Sequence, residues 1–82
     1  IYLNFSLSPN PAHGRTMLRM DEQIEECTIS ITTIQGLLVY NKNLRNTRET
    51  WIDLRNYTPG IYIITVTSGA QTGNKKLIVS EK

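Results

Sequence analysis

Apolar and polar side chains alternate along much of this chain, so that every second residue is apolar. Leu3, Phe5 and Leu7 alternate with polar residues near the beginning, and residues 27–32 and 61–68 repeat the pattern. In an extended strand, successive side chains point to opposite faces of the sheet. This period is therefore typical of strands that bury one face, and no segment shows the sustained 3.6-residue period of a helix.

The alternation and the residues that interrupt it predict seven short strands. They are residues 3–7, 16–20, 27–34, 37–41, 49–54, 61–68 and 75–80. Seven short strands with turns about every ten residues are typical of small sandwiches. We therefore predict an all-β fold, a seven-stranded antiparallel immunoglobulin-like β-sandwich, with a small barrel as the alternative.

Prolines, glycines and charged residues mark the predicted connections. Residues 8–14 form a proline-containing loop, and Gln35-Gly36 forms a hairpin turn in which Gly36 can take a positive φ. Pro59-Gly60 suits the centre of a type II turn, and residues 69–73 form a hairpin loop. The remaining two connections are predicted to be charged loops at residues 21–26 and 42–48.

The length of 82 residues predicts a single domain over residues 1–82 with a small core. The first residue is Ile1 instead of methionine, which favours a module that works attached to a larger protein. Nine Lys and Arg against seven Asp and Glu give a net charge of +2, which argues against general nucleic-acid binding.

The charges are nevertheless unevenly placed. Residues 21–26 carry four acidic side chains, and the segment from Lys42 to Arg55 carries four basic ones. Charge runs usually lie on solvated faces, and we favour that interpretation. The alternative is that the basic run contacts an anionic partner.

The inventory of reactive side chains predicts no enzyme, no metal site and no cofactor. Cys27 lies in phase with Ile29 and Ile31, which favours burial, and the lone histidine, His13, lies far away in a turn. A zinc site needs three or four close ligands, which one cysteine and one histidine cannot supply. The carboxylates of residues 21–26 lack the spacing of a calcium loop.

Trp51 raises a different possibility, because small sandwiches can bind glycans by stacking sugar rings on aromatic side chains. Trp51 is out of phase with the apolar face of its strand, so it could be exposed. We favour instead that it covers the second face or an edge of the sandwich.

Three stretches together resemble one known family. They are Pro9-Asn10-Pro11-Ala12-His13-Gly14, the segment 29–40 with its turn at Gly36, and the segment 52–79 with Asp53-Leu54, Gly60-Ile61-Tyr62 and Lys75-Lys76-Leu77-Ile78-Val79. In order and spacing they are similar to the type A C-terminal sorting domain of type IX secretion (Por secretion) substrates in Bacteroidota. One departure is Thr32-Thr33-Ile34, where the family often has an acidic or amide residue.

The resemblance implies a non-catalytic secretion signal. Such a domain is carried behind a cargo domain, is recognised in the periplasm by proteins of the type IX outer-membrane translocon, and reaches the cell surface or the medium. A sortase-like cysteine peptidase usually removes it and attaches the cargo to the surface. The alternatives are a retained domain of the surface machinery, a glycan-binding or adhesion module, and a structural spacer.

The resemblance also assigns the signal-motif or partner-binding residues. They are Pro9, Asn10, Pro11, Gly14, Gly36, Gly60, Tyr62, Lys75, Lys76, Leu77, Ile78 and Val79. Gly36 and Gly60 are expected to permit turns, and Tyr62 is expected in the core. The segment 75–82 is expected to dock the partner at an exposed sheet edge, which would also make a homodimer plausible.

Overall fold

The computed structural model describes residues 3–80, which form five β-strands. The strands are β1 (Phe5–His13), β2 (Arg15–Thr33), β3 (Leu38–Asp53), β4 (Gly60–Ser68) and β5 (Gln71–Val79). Their order is β1-β5-β4-β2-β3, and β1 also pairs with β2. Every pairing is antiparallel except the short parallel contact of β1 with β5.

The prediction of seven strands is wrong, because two predicted pairs of strands are each continuous. β2 runs through residues 21–26 and β3 runs through residues 42–48, and the two segments pair with each other at Ile24–Thr47 and Glu26–Arg45. Charged side chains can point to solvent while the backbone stays in the ladder. The charged residues of these two segments therefore indicate that their side chains are exposed, and they do not indicate a loop.

The long strands β2 and β3 belong to both layers of the fold. The first layer contains residues 5–8 of β1, 15–20 of β2 and 49–53 of β3. The second layer contains the later half of β2, the earlier half of β3, and all of β4 and β5. Buried side chains from both layers share one core, so the layers lie face to face.

A change of phase inside β2 lets both of its halves face that core. The buried side chains are Thr16, Leu18 and Met20 in the first half, and Cys27, Ile29 and Ile31 in the second. Arg19 pairs with Glu49, and the next pair is Ile24 with Thr47. Between these pairs β2 advances five residues and β3 only two, so β2 contains three extra residues. An odd number of extra residues exchanges the two faces of a strand.

The core is aliphatic and lies between the layers. Its fully buried members include Leu18 and Ile52 from the first layer, and Ile29, Ile64 and Leu77 from the second. Cys27 is buried, as predicted, and burial raises the pKa of its thiol. The alternation of the sequence thus correctly placed Cys27, Ile29 and Ile31 on a buried face.

One predicted turn is confirmed and another is wrong. Gly36 has a φ of 96°, and its N–H donates to the Thr33 carbonyl oxygen at 2.9 Å in the β2–β3 hairpin. Pro59-Gly60 does not form a type II turn, because Gly60 already begins β4 and its φ of 155° is far from the value of about 80° that this turn needs. The hydrogen-bonded turn lies earlier, where Tyr57 N donates to Leu54 O at 3.0 Å.

Candidate recognition surface

The proline motif and the last strand, which are far apart in sequence, are neighbours in space. The Asn10 amide donates to the Lys76 carbonyl oxygen at 3.0 Å, and its Oδ1 accepts from the Ile78 N–H at 3.0 Å. One asparagine side chain therefore satisfies a donor and an acceptor of β5, as a neighbouring strand would. This contact fixes residues 9–11 of β1 against the outer side of β5.

Further hydrogen bonds continue this attachment to the end of the described chain. Ala12 is fully buried, and its carbonyl oxygen accepts from both the N–H and the hydroxyl of Ser80, at 2.8 and 3.0 Å. Ala12 also stands opposite Val79 in the β1–β5 contact. The expectation that β5 lies at a sheet edge is therefore wrong, because β5 lies between β4 and β1. Residues 81–82 of the predicted docking segment lie outside the described residues.

The other end of the motif is held by β2 and by the chain after β3. The hydroxyl of the fully buried Thr16 donates to the Pro9 carbonyl oxygen at 2.8 Å. The Leu54 N–H donates to the Gly14 carbonyl oxygen at 2.8 Å. Residues 9–14 are therefore a fixed part of the sandwich and not the loop that the prolines predicted.

β5 is also joined near its beginning, where Gly73 is buried. The Leu3 N–H donates to the Thr72 carbonyl oxygen at 3.0 Å. A Cβ atom at Gly73 would overlap the Leu3 carbonyl oxygen, so only glycine allows this close passage of the two backbones. Sequence analysis missed this role, because a glycine in a hairpin loop and a glycine under a crossing backbone look alike in sequence.

Among the other predicted residues, some are buried and some are accessible. Tyr62, Leu77 and Val79 belong to the core, and the Tyr62 hydroxyl donates to the Thr58 carbonyl oxygen at 2.7 Å. The burial of Tyr62 confirms its predicted core position. The predicted residues that remain exposed are Pro9, Asn10, Pro11, Gly36, Gly60, Lys75, Lys76 and Ile78.

The ladders bring most of the motif to one end of the sandwich. Gly60 pairs with Val79, Thr33 at the Gly36 hairpin pairs with Tyr62, and Ser80 contacts Ala12. Leu3 lies at the other end, beside the turn that joins β4 to β5. Most of the residues that the resemblance singled out thus lie toward the end opposite to the beginning of the described chain, whereas Lys75 stands opposite Ile64 in the middle of β4.

The same end carries an exposed apolar cluster that sequence analysis did not identify as a surface. Ile34, Leu37, Leu38 and Val39, which we call the hairpin cluster, are 64, 66, 53 and 40% exposed. Three successive apolar residues, 37–39, do not alternate with polar ones. That run was the available signal, because a half-buried strand should show alternation there.

A groove of about 580 Å³ lies beside the hairpin cluster. Its lining includes Leu37, Val39 and Tyr40 together with Tyr57 and Tyr62. The ring centroids of Tyr57 and Tyr62 are 5.3 Å apart. The Tyr57 hydroxyl is buried and makes no hydrogen bond within residues 3–80. Burial also raises the pKa of this hydroxyl.

Trp51 lies on the outer face of the first layer and is 47% exposed. The Arg15 guanidinium carbon lies 3.9 Å from the centroid of its ring, a cation–π arrangement. The ring is therefore partly covered by a cation and partly open. Trp51 thus lies on the second face of its strand, as the favoured interpretation predicted, and about half of it remains exposed there.

Charged side chains occupy the surface without forming a reactive cluster. Within residues 3–80 the ion pairs are Arg19–Glu49 and Arg55–Asp53, each at 2.8 Å and largely exposed. Across the same span, no group of three His, Cys, Asp or Glu side chains is placed to hold a metal ion. The described part of the chain also has no helix that is long and apolar enough to cross a bilayer.

Comparison with known proteins gives one family and one fold. Residues 6–80 match the family model described as secretion system C-terminal sorting domain. A search of curated proteins finds no match to this chain. Among solved structures, a DUF3244 family protein from Bacteroides vulgatus with an immunoglobulin-like β-sandwich fold is similar. It shares 16% identity and a TM-score of 0.72, over 95% of this chain and 83% of that one.

Proposed function

The chain belongs to the secretion system C-terminal sorting domains of the type IX pathway, and we propose that it is a non-catalytic export signal. Membership implies an interaction with the type IX machinery, a cargo domain before the signal, and export through the outer membrane to the cell surface or the medium. The proposal adds that the folded domain itself is recognised in the periplasm by translocon proteins.

The observation that carries the proposal is that the family match covers nearly the whole folded unit. The match extends over residues 6–80, and the described sandwich extends over residues 3–80. Within that unit the Asn10 hydrogen bonds join the proline motif to β5. A translocon would therefore meet one rigid surface and not two separate peptide signals.

We assign different roles to the motif residues within this signal. Gly36, Tyr62, Leu77 and Val79 maintain the turn and the core, since they form turn hydrogen bonds or are buried. The accessible residues on the motif side are candidates for direct contact with the translocon: Pro9, Pro11, Lys75, Lys76 and Ile78.

After export we propose removal of the domain by the sortase-like cysteine peptidase of the pathway, which would leave the cargo attached to the surface. Retention as part of the surface machinery is the variant of this proposal. The size of the exported product separates the two, because removal of the domain leaves a shorter product than retention does.

The decisive experiment is an export assay. Residues 1–82 are fused to the C-terminus of a periplasmic reporter, in a host with a type IX system and in the same host without its translocon. We expect the reporter at the surface or in the medium only when the translocon is present. Reporter held in the periplasm of both strains, with the domain shown to be folded by protease resistance, would contradict the proposal.

A second candidate function, glycan binding, is favoured by the half-exposed Trp51 alone. Ser6, Ser8, Met17 and Arg19 line a shallow surface depression with it. Binding of the purified chain to polysaccharides, with loss on Trp51→Ala, would support this candidate. Because Arg15 already covers part of the ring, we expect little binding, and we expect Trp51→Ala to leave export unchanged.

A further inference from the structure

The two margins of the folded sheet are β1 and β3, and only β3 is open over a long distance. β3 is 16 residues long and pairs with β2 on one side, whereas no other strand of the described chain pairs with its opposite side. A free strand margin presents backbone N–H and C=O groups that another strand can use. Proline, which removes such donors, is absent from β3.

The chemistry of this margin changes along its length. Leu38 and Val39 are apolar and exposed, whereas Lys42 and Arg45 further along are exposed cations. Neither cation forms an ion pair with another residue of the described chain. Charges on a margin protect it against strands that cannot neutralise them, so the apolar beginning of β3 is open to an apolar strand and the charged part only to a strand of opposite charge.

The apolar beginning of the margin also borders the groove that the Tyr57 side chain helps to line. Val39 is an extra residue in β3 relative to β2, because Tyr40 pairs with Ile31 while Leu38 pairs with Thr32. A bulge of this kind redirects a side chain out of the regular alternation. The Val39 side chain lines the groove together with Leu37 and Tyr57.

From these features we propose that β3 accepts an extended strand of a partner protein along residues 38–45. The partner's strand is apolar where it passes Leu38 and Val39, and one of its large side chains enters the groove there. It is acidic where it passes Lys42 and Arg45. Backbone pairing supplies the affinity, and the two chemical segments set the register. This inference rests on the proposed function, because it takes the partner protein to be a component of the export machinery.

Charge complementarity favours a foreign acidic strand over a second copy of this chain. A second copy would present the same cations on its own β3, and the two carboxylates of that strand, Glu49 and Asp53, already pair with arginines of their own chain. Its acidic residues 21–26 lie on β2 and pair there with β3. Lys42 would then stay without a counter-charge, and Arg45 would have only Glu26, its neighbour across the β2–β3 ladder. An acidic strand pairs with both cations while its apolar part covers the hairpin cluster.

The test uses the reporter fusion described above and measures the translocon-dependent fraction that is exported. We expect Leu38→Lys to lower export about tenfold, equivalent to about 1.4 kcal/mol of binding free energy, because the new charge must be desolvated on pairing. Leu38→Val should keep export near the parent level. The control is Thr67→Lys, which adds the same charge at an exposed residue at the opposite end of β4 and should leave export near the parent level.

A second pair of variants examines the charged part of the margin. Changing Lys42→Glu and Arg45→Glu together should lower export several-fold, since both cations would then repel the acidic strand. The charge-conserving double variant, Lys42→Arg with Arg45→Lys, should be exported at the level of the parent fusion. Thermal unfolding of each purified variant confirms that the domain is still folded, so that a loss of export reports a loss of contact.

The outcomes separate this inference from the proposed function. If the parent fusion is not exported, the proposed function fails. If the parent is exported and Leu38→Lys is exported equally well, only the β3 inference is overturned. Sedimentation of the purified chain provides the remaining outcome: a parent dimer that Leu38→Lys dissociates would show that a second copy occupies the margin, which also overturns the inference.

Discussion

The β1 margin and the β3 margin of this sandwich differ in whether neighbouring parts of the chain cover them. β1 contains Pro9 and Pro11, crosses from β2 to β5, and fixes β5 with the Asn10 side chain. β3 has no proline and ends in an exposed ion pair. The β1 margin is thus closed by specific hydrogen bonds, whereas the β3 margin is left available.

Because of this difference, the residues that identify the family are not the same as the residues whose side chains are available to a partner protein. The motif residues Asn10 and Gly14 each give hydrogen-bonding groups to other parts of the same chain. The side chains of the hairpin cluster and of Lys42 and Arg45 form no hydrogen bond or ion pair with the rest of the described chain. A recognisable motif therefore need not coincide with the surface that a partner meets, and four comparisons between variants measure how far the two margins differ.

The largest expected effect is at Gly73, beneath the backbone of Leu3. Gly73→Val should lower the free energy of unfolding by about 2–3 kcal/mol, because the new side chain overlaps the Leu3 carbonyl oxygen and must displace a buried residue. Urea unfolding followed by circular dichroism measures the change. The control, Asn74→Val at the next, exposed position, should change stability by less than about 0.5 kcal/mol.

The next effect compares two threonines of β2, one beside each margin. Thr16→Val should cost about 1–2 kcal/mol, because the buried hydroxyl that donates to Pro9 is lost and that carbonyl oxygen loses a partner. Thr28→Val removes an exposed hydrogen bond to Asn43 and should cost under about 0.5 kcal/mol. Equal losses in the same unfolding measurement would show that the closed margin has no special dependence on Thr16.

A smaller effect is expected from the asparagine that closes the β1 margin. Asn10→Ala should cost about 1 kcal/mol, since two hydrogen bonds to β5 are replaced by bonds to water. It should also speed hydrogen exchange at the Ile78 amide, as measured by NMR. Asn43→Ala on β3 is the matched change, and we expect it to affect neither stability nor that amide.

The smallest effect is a pH dependence at the end of β3. Hydrogen bonds from the Arg55 side chain and backbone lower the pKa of the Asp53 carboxyl from 3.8 to about 2. A lowered folded pKa means that this contribution to stability is complete above about pH 4 and is lost as the pH falls through about 2. An NMR titration of Asp53 should show a midpoint near 2, and Arg55→Gln should return it toward 3.8.

Sequence reasoning identified the buried faces and the fold class more reliably than the connections. Cys27, Ile29 and Ile31 were placed on one face and Tyr62 in the core, and all four are buried. The segments 21–26 and 42–48, which were predicted to be loops, belong to strands. An exposed side chain does not prevent its backbone from pairing with a neighbouring strand. Polar residues at a margin carry the signature of a loop even when their backbone belongs to a ladder.

The candidate site was only partly predictable for a related reason. The motif residues Pro9 to Gly14 and Lys75 to Val79 were identified from their order and spacing, but not their contact with each other. The hairpin cluster was assigned to a strand without a surface role. Whether an apolar run is covered depends on which strand lies beside it, and that neighbour is distant in sequence.

The sequence by itself determined the properties that depend on local geometry. The alternation of side chains decided which residues enter the core, and Gly36 decided where the β2–β3 hairpin turns. Only the tertiary structure decided that β1 closes one margin, that β5 lies inside the sheet, and that β3 stays open. Strand order arises from hydrogen bonds between residues far apart in the chain, such as Asn10 and Ile78, and no local pattern encodes them.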